Sequence, residues 1–190
     1  MNLYFIRHGQ TDWNVMGRIQ GSYDSDLNDT GRKQAENLGD YVLESKIAFS
    51  KIYSSKQKRA VQTAQILSKA TSVDCIPIDG LEEVRFGEWE GLTWEEVRTK
   101  YPKEYEEWFH NRRYAKTPQG ESYQELIERV VSTLKKIISQ SKEDVAIVTH
   151  GAVIMCLQCY LTDTPFHEMF KFKAENATIT KVDSSMIIRD

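Results

Sequence analysis

The sequence lacks the features of a membrane protein or a secreted protein. None of its apolar runs is long enough to span a bilayer, and no basic segment with a long apolar stretch precedes the first predicted strand, at Leu3. Basic residues are not in excess, because 25 lysines and arginines stand against 28 aspartates and glutamates, for a net charge of −3. We therefore expect a cytoplasmic protein with neither a membrane nor a nucleic-acid partner.

Cysteine is scarce as well. The three cysteines are an odd, low count that fits a reducing compartment. Cys156 and Cys159 form a C-x-x-C pair, but a redox pair of this kind is expected at a helix start, and these two lie inside an apolar helical pattern. Zinc needs more ligands than the pair offers. The pattern predicts buried core cysteines and no metal site.

Three common phosphate-handling signatures are missing. The C-x5-R motif of cysteine phosphatases is absent, because Leu81, Thr162 and Pro165 stand where its arginine would follow the three cysteines. The D-x-D-x-[T/V] motif is incomplete at residues 24–28, and no G-x-x-x-x-G-K-[S/T] sequence occurs. Any phosphate chemistry of this chain must use other groups.

The remaining composition fits one globular domain over residues 1–190. The chain is 40% hydrophobic and 28% charged, and predicted strands alternate with helical patterns. The predicted strands are 3–7, 51–54, 73–78, 145–149, 177–182 and 186–189. A capping box at Ser122 opens a long amphipathic helix. This alternation predicts an α/β fold, a three-layer α/β/α sandwich with a mainly parallel central sheet.

Four short segments carry groups that suit phosphate. They are residues 7–14 (RHGQTDWN), 54–64 (SSKQKRAVQTA), 81–91 (LEEVRFGEWEG) and 145–151 (VAIVTHG). The first and the last end an apolar strand with a histidine and a glycine, at the sheet edge where ligands of α/β folds bind. In this order the segments resemble the signatures of the histidine phosphatase superfamily, the phosphoglycerate mutase-like family. The resemblance implies that family's fold, which adds one antiparallel strand.

The residue types fit phosphoryl transfer. A phosphomonoester carries close to two negative charges, and Arg7 and Arg59 can each donate bidentate hydrogen bonds to its oxygens. His150, if protonated, adds a third cation. His8 must be neutral to act as a nucleophile, and crowding by these cations lowers its pKa toward that form. Attack by His8 would give a phosphohistidine, which water then hydrolyses.

A leaving alkoxide needs a proton from a carboxyl group. Glu82 and Glu83 are both candidates, and the resemblance implies Glu83. The resemblance also implies that Asn14 and Gln20 contact the phosphate, although turn chemistry explains them equally well. Gly21 and Gly151 complete the predicted substrate-binding set. All these residues are expected to act without a metal or a cofactor.

Residues 89–121 form an unusual region. Its first part is rich in aromatic residues and charges, and Pro102 interrupts one helical run. Such aromatics usually pack as a helical pair closing one side of the core, whereas the resemblance implies an insertion that covers the substrate. In that case His110, Arg112 and Arg113 could meet an anionic tail, although a solvated basic turn is at least as consistent.

The expected activity is metal-independent hydrolysis of small phosphomonoesters, because the chain is short and its 17–21 segment (GRIQG) resembles the phosphatase branch of the family. A 2,3-bisphosphoglycerate-dependent phosphoglycerate mutase and a non-catalytic phospho-ligand-binding module are the alternatives. We expect a monomer or a homodimer with a small-molecule phosphomonoester as its partner.

Overall fold

The computed structural model describes residues 1–188 and contains one five-stranded sheet. Its strands are β1 (Asn2–Arg7), β2 (Lys51–Ser55), β3 (Cys75–Ile78), β4 (Val145–Thr149) and β5 (Ile179–Asp183). The order across the sheet is β3-β2-β4-β1-β5, with β5 antiparallel to β1 and the other neighbours parallel. The predicted α/β fold is confirmed, and the edge strand β5 is the antiparallel strand that the family resemblance implies.

Helices cover both faces of this sheet. They are α1 (Asp12–Val15), α2 (Asp29–Glu44), α3 (Lys58–Thr71), α4 (Trp94–Lys100), α5 (Pro102–His110), α6 (Tyr123–Gln140) and α7 (Gly151–Leu161). Alternate strand residues point to opposite faces, so Ile6 packs with α2 and α3 while Phe5 packs with α6 and α7. The result is the predicted three-layer sandwich. Within the described chain, no helix combines the length and apolar character that crossing a membrane requires.

Most predicted strands lie within two residues of the observed ones, and one is wrong. The prediction for 145–149 matches β4, whereas the predicted strand 186–189 does not form over its described part. The Asp183 carboxylate accepts a hydrogen bond from the Ser185 N–H (2.8 Å), and a 3-10 turn, Ser184–Met186, follows. This turn ends the strand, and residue 189 lies outside the described residues.

Two local predictions are confirmed. The Ser122 hydroxyl accepts a hydrogen bond from the Glu125 N–H (3.2 Å), and the Glu125 carboxylate accepts one from the Ser122 N–H (3.0 Å), which is the capping box that opens α6. Cys156 and Cys159 are free, buried cysteines inside α7. The C-x-x-C pair therefore belongs to the core.

The aromatic region folds as a pair of short helices packed on the core. Pro102 occupies the first turn of α5 and separates it from α4. Trp89 is fully buried, and its ring lies 5.4 Å from that of Trp108, in T-shaped contact. Trp108 also stacks on Trp94, at 5.3 Å. These contacts close one side of the core, as helical aromatic spacing predicts.

The start of α2 packs backbone to backbone against the loop after β1. A Cβ atom on Gly31 would lie 2.0 Å from the Gln10 carbonyl oxygen, and one on Gly9 would lie 2.4 Å from the Gly31 carbonyl oxygen. Because both obstacles are backbone atoms, neither site has room for a larger residue. This contact fixes the loop that carries His8.

We therefore predict that Gly31→Ala destabilises the protein. Helix propensity alone favours alanine by about 1 kcal/mol, but the clash with Gln10 should cost about 1 to 3 kcal/mol net, as overpacking does. Denaturant unfolding measures the change. The control is Lys33→Ala on the exposed face of the same helix, which should stay within about 0.5 kcal/mol. A stabilised Gly31→Ala variant would show that the loop and the helix separate easily.

Candidate active site

Two histidines meet at the carboxyl edge of the sheet. β1 and β4 are parallel neighbours with Arg7 opposite Thr149, so the residues that follow them, His8 and His150, become adjacent. Their ring centroids lie 5.3 Å apart. His150 is also the residue from which α7 starts, which brings the positive end of that helix to the same place. The sheet register therefore assembles the pair that the sequence placed 142 residues apart.

One hydrogen bond fixes the tautomer of His8. Its Nδ1 lies 2.7 Å from the Gly9 carbonyl oxygen. Because a carbonyl oxygen can only accept, Nδ1 must carry the proton. In a neutral ring, Nε2 is then left with a free lone pair. This is the form that a nucleophile needs.

Both rings are held neutral. Burial, and then the charges of Arg59 and Arg7, keep the pKa of His8 well below its ordinary value, against the opposing effect of the Gly9 hydrogen bond. Burial and Arg59 likewise keep the pKa of His150 well below its ordinary value. Neither ring nitrogen of His150 has a hydrogen-bond partner among residues 1–188. A phosphate dianion beside it would favour the protonated form.

Two arginines flank the histidines. Arg59, in the first turn of α3, is fully buried and donates to the carbonyl oxygens of Tyr23 (2.6 Å) and Gly21 (3.0 Å). Burial lowers its pKa to about 10, so it remains charged at neutral pH. Arg7 donates one hydrogen bond, to the Ala174 carbonyl oxygen (2.8 Å). The Nε atoms of both arginines are buried and have no partner in the described structure, so each keeps donors for an anion.

The structure separates the two candidate acids. The Glu83 carboxylate lines the same cavity as His8 and accepts hydrogen bonds from the Val84 N–H (3.0 Å) and the Ala152 N–H (3.2 Å). Burial raises its pKa above the ordinary value. Glu82 does not line this cavity; its carboxylate accepts from the Gly80 N–H (2.7 Å) and pairs with Arg129 at 3.7 Å. Only Glu83 is placed to act beside His8.

Asn14 and Gln20 both line the cavity, and both also hold the loop around it. The Asn14 side-chain oxygen accepts from the Thr11 N–H (3.1 Å), and the Gln20 oxygen accepts from the Ser25 hydroxyl (2.6 Å). Their amide nitrogens have no hydrogen-bond acceptor from these loops. Each side chain can therefore be part of the loop and still donate to a ligand.

The two predicted glycines also line the cavity, with different constraints. Gly21 has a positive φ of 51°, and a Cβ atom there would lie 2.1 Å from the Glu90 carboxylate. At Gly151 a Cβ atom would lie 3.4 Å from Arg7 Nε, an ordinary contact distance. Of the two, only Gly21 has a backbone conformation that favours glycine.

Except for Glu82 and His150, the candidate residues line one cavity of ≈ 240 Å³. His150 is fully buried beside His8 and does not reach the lining. Away from the histidines the cavity wall is mostly apolar, with Ile19, Phe86, Trp94, Tyr123, Met155, Met169 and Phe170. Arg18 and Lys173 add positive charge. Sequence reasoning missed this wall, because its members come from distant segments without a shared motif.

A larger cavity of ≈ 420 Å³ lies between α2 and the segment before β5, and it has no charged side chain in its lining.

The three basic residues that could meet an anionic tail, His110, Arg112 and Arg113, do not line the catalytic cavity. His110 is paired with Glu106 at 2.7 Å, and Arg112 is buried over the ring of Trp108. Arg113 donates to the Gln124 side chain (2.8 Å). Contact of these three side chains with an anionic tail stays a prediction.

Within residues 1–188, no group of three or more His, Cys, Asp or Glu side chains is arranged to hold a metal ion. Activity without a metal ion remains a prediction, which an activity assay in the presence of a chelator tests.

Comparison with known proteins places this site in a family. A model of the histidine phosphatase superfamily (branch 1) matches residues 3–185. Phosphoserine phosphatase 1 of Hydrogenobacter thermophilus is 30% identical over 183 residues, covering 96% of this chain and 86% of that protein. A solved structure of mycobacterial glucosyl-3-phosphoglycerate phosphatase with VO3 superposes with a TM-score of 0.83 at 29% identity, covering 96% of this chain and 90% of that one.

The same domain also occurs in longer relatives. The rat protein 6-phosphofructo-2-kinase/fructose-2,6-bisphosphatase 3 is 33% identical over 183 residues, which is 95% of this chain and 31% of that protein. The chain thus spans about a third of the length of several curated relatives that it matches. The family match over residues 3–185, together with the paired histidines, shows that this chain belongs to branch 1 of the histidine phosphatase superfamily.

Proposed function

We propose that this protein hydrolyses phosphomonoesters of small metabolites through a phosphohistidine at His8. The observation that carries the proposal is the 2.7 Å contact of His8 Nδ1 with the Gly9 carbonyl oxygen, which leaves Nε2 free in a cavity that Arg7 and the buried Arg59 also line. The family match over residues 3–185 supports the same chemistry.

In the first step the substrate phosphoryl group binds among the cations. Arg7 and Arg59 donate to its oxygens with the N–H groups that backbone carbonyls leave free. The phosphate favours a protonated His150, and Asn14 and Gln20 add neutral donors. Because these groups are held in place before binding, they stabilise charge on the phosphoryl oxygens with little rearrangement.

In the second step His8 Nε2 forms a bond to phosphorus as the bond to the ester oxygen breaks. The Glu83 carboxyl, whose pKa burial raises, gives its proton to the leaving oxygen, and the alcohol departs. The resulting carboxylate then takes a proton from water, whose oxygen attacks phosphorus and breaks the bond to His8. Phosphate leaves, and both His8 and Glu83 return to their starting forms.

The charge that this transfer requires is supplied by side chains. Two guanidinium groups and a protonated His150 occupy the role that a divalent cation has in other phosphoryl-transfer sites. We therefore propose that neither a metal nor a cofactor takes part.

The cavity limits the substrate class. Its volume of ≈ 240 Å³ is below the roughly 300 to 1,000 Å³ of pockets for drug-sized ligands, so the alcohol part must be compact. The wall offers apolar contact from Phe86 and Met155. We also propose that residues 89–121 cover the substrate, through Trp94 in this wall. The relatives' names point to different alcohols, so the shared feature is the phosphomonoester.

We predict that His8→Ala abolishes turnover while the protein stays folded, because the phosphoryl group is transferred to His8 Nε2 and His150 is fully buried, outside the cavity lining. Wild-type protein quenched during turnover of p-nitrophenyl phosphate in EDTA should carry acid-labile, base-stable phosphate on His8. Mass spectrometry locates the label, and circular dichroism checks the fold of the variant. Near-normal activity of His8→Ala, or loss of wild-type activity in EDTA, would contradict this mechanism.

An assay of the wild-type protein with a different substrate pair distinguishes hydrolysis from the mutase alternative. With 3-phosphoglycerate and 2,3-bisphosphoglycerate, a hydrolase releases phosphate faster than it forms 2-phosphoglycerate. Rapid isomerisation with little phosphate would assign the chain to the mutases.

The two glutamates should differ in their response to the leaving group. Glu83→Gln should lower kcat/KM for phenyl phosphate, which reports formation of the phosphohistidine, by about 10² to 10⁴-fold, the usual range for general-acid catalysis. It should largely spare kcat/KM for p-nitrophenyl phosphate, whose leaving group needs little protonation. Glu82→Gln, the matched control, should affect neither ester selectively. If Glu82→Gln instead gave the selective loss, the acid would be Glu82.

The pH profile provides a second readout of the same pair. Because Glu83 must be protonated to act as an acid, wild-type kcat/KM for phenyl phosphate, which reports the groups of the free enzyme, should fall as pH rises through its raised pKa. Glu83→Gln should lose that limb of the profile, and Glu82→Gln should keep it.

A further inference from the structure

Gln57 occupies the N-cap position of α3 without capping the helix. N-cap residues are usually Ser, Thr, Asp or Asn, whose short side chains accept hydrogen bonds from the first helical N–H groups. The Gln57 side chain makes no such bond. Asp24 takes that role, because its carboxylate accepts from the Lys58 N–H (2.6 Å). Helix capping therefore does not account for a buried glutamine at this position.

The Gln57 side chain instead connects two walls of the active site. Its Nε2 donates to the Gly21 carbonyl oxygen (2.8 Å), and its Oε1 accepts from the Glu83 N–H (2.9 Å). An N–H needs an acceptor and a carbonyl needs a donor, so these partners fix the orientation of the amide. One side chain thus satisfies two backbone groups that lie 62 residues apart.

The Gly21 carbonyl is also bound by Arg59, whose guanidinium donates to it at 3.0 Å. Gln57 and Arg59 therefore share one acceptor. A continuous chain of hydrogen bonds runs from Arg59 through the Gly21 carbonyl and Gln57 to the backbone of Glu83. Because each link is directional, this chain sets the position of the acid relative to an arginine of the phosphate site.

The Glu83 carbonyl group is held by a different side chain. Arg129 donates to the Glu83 carbonyl oxygen (3.1 Å) and pairs with Glu121 at 2.6 Å. These contacts tie the acid-bearing segment to α6 rather than to the phosphate site. Gln57 is therefore the side chain that ties Glu83 to the loop that Arg59 holds.

We infer that Gln57 is a positioning residue that aligns the Glu83 carboxyl with the leaving oxygen of a phosphoryl group held by Arg59. The inference rests on the proposed function, since it concerns proton donation by Glu83. A displacement of about 1 Å at a reacting group can cost about 10²-fold in rate. Loss of Gln57 should therefore weaken acid catalysis more than it weakens phosphate binding.

The test compares Gln57→Met with wild type on two esters of similar size. Methionine has a similar length and makes neither hydrogen bond. We expect kcat/KM for phenyl phosphate to fall by about 10- to 100-fold, part of the full effect of a general acid, and kcat/KM for p-nitrophenyl phosphate to fall by less than about threefold. The inhibition constant of inorganic phosphate should change by less than about threefold, because Arg7 and Arg59 still bind the phosphate.

Gln62 provides a matched control on the same helix. Its amide also makes two hydrogen bonds, with the Leu27 N–H (2.8 Å) and the Asp26 carboxylate (2.7 Å), and it does not line the cavity. Gln62→Met should lower the thermal midpoint about as much as Gln57→Met and should slow neither ester selectively. This comparison separates a loss of stability from a loss of alignment.

Gln57→Glu tests rescue. Its carboxylate can accept from the Glu83 N–H but cannot donate to the Gly21 carbonyl. We expect it to recover only part of the phenyl phosphate rate that Gln57→Met loses, because it restores the bond to the Glu83 N–H and not the link to the Gly21 carbonyl. The same variant also provides the test if Gln57→Met does not fold.

Two outcomes would overturn the inference while leaving the proposed function in place. Equal slowing of both esters, or no slowing of either, in an active and folded Gln57 variant would show that Gln57 has a structural role only. Failure of the wild type to hydrolyse either ester, or to form the phosphohistidine, would remove the proposed function itself.

Discussion

The hydrogen bond from His8 Nδ1 to the Gly9 carbonyl oxygen, at 2.7 Å, decides what the rest of this site can do. It makes Nε2 the free nitrogen, and the loop after β1 that carries it is held by contacts on two sides. That loop is held on one side by the His8 N–H bond to the Thr149 carbonyl oxygen (3.0 Å) and on the other by its close backbone contact with Gly31. The geometry of the nucleophile is therefore a consequence of how β4 and α2 pack around one turn.

Burial and charge then act together on the same ring. Burial of the His8 ring disfavours its protonation, and the charges of Arg59 and Arg7 act in the same direction, so the nucleophile stays neutral. Burial also raises the pKa of Glu83 and keeps a carboxyl available as an acid. The arginines thus prepare the site for an anion and, before it arrives, prevent the histidine from being protonated. Opposite pKa shifts at His8 and Glu83 give the two groups their different roles.

The sequence predicted the parts of this arrangement that local patterns encode. Strand ends locate Arg7 and His150, and the capping box at Ser122 locates the start of α6. Parallel strands must end at the same sheet edge, so the meeting of His8 with His150 follows from the fold class. The difference between Glu82 and Glu83 did not follow from residue types, because both are carboxylates in one acidic stretch. It depends on which side chain turns toward Ala152 and which toward Arg129.

Other features could not be predicted from the sequence, because they are contacts between segments that lie far apart in it. The wall residues Met169 and Phe170 come from a 3-10 segment near the end of the chain, and nothing in their sequence marks them. Arg112 has the charge of an anion-binding residue, but packing over Trp108 buries it away from the cavity. No sequence motif marks Gln57 either. Its proposed role depends on the Gly21 carbonyl and the Glu83 N–H, which folding brings to its side chain.

The most direct test of this account is the protonation state of His8, measured from ¹⁵N chemical shifts of its ring nitrogens. The chain has four histidines, so the His8 signals can be assigned by their loss in His8→Gln. At neutral pH the account predicts a protonated Nδ1 and an unprotonated Nε2, with protonation of Nε2 only well below the pH at which an unperturbed histidine titrates. Protonation of Nε2 near neutral pH, as the other tautomer or as an imidazolium, would contradict it.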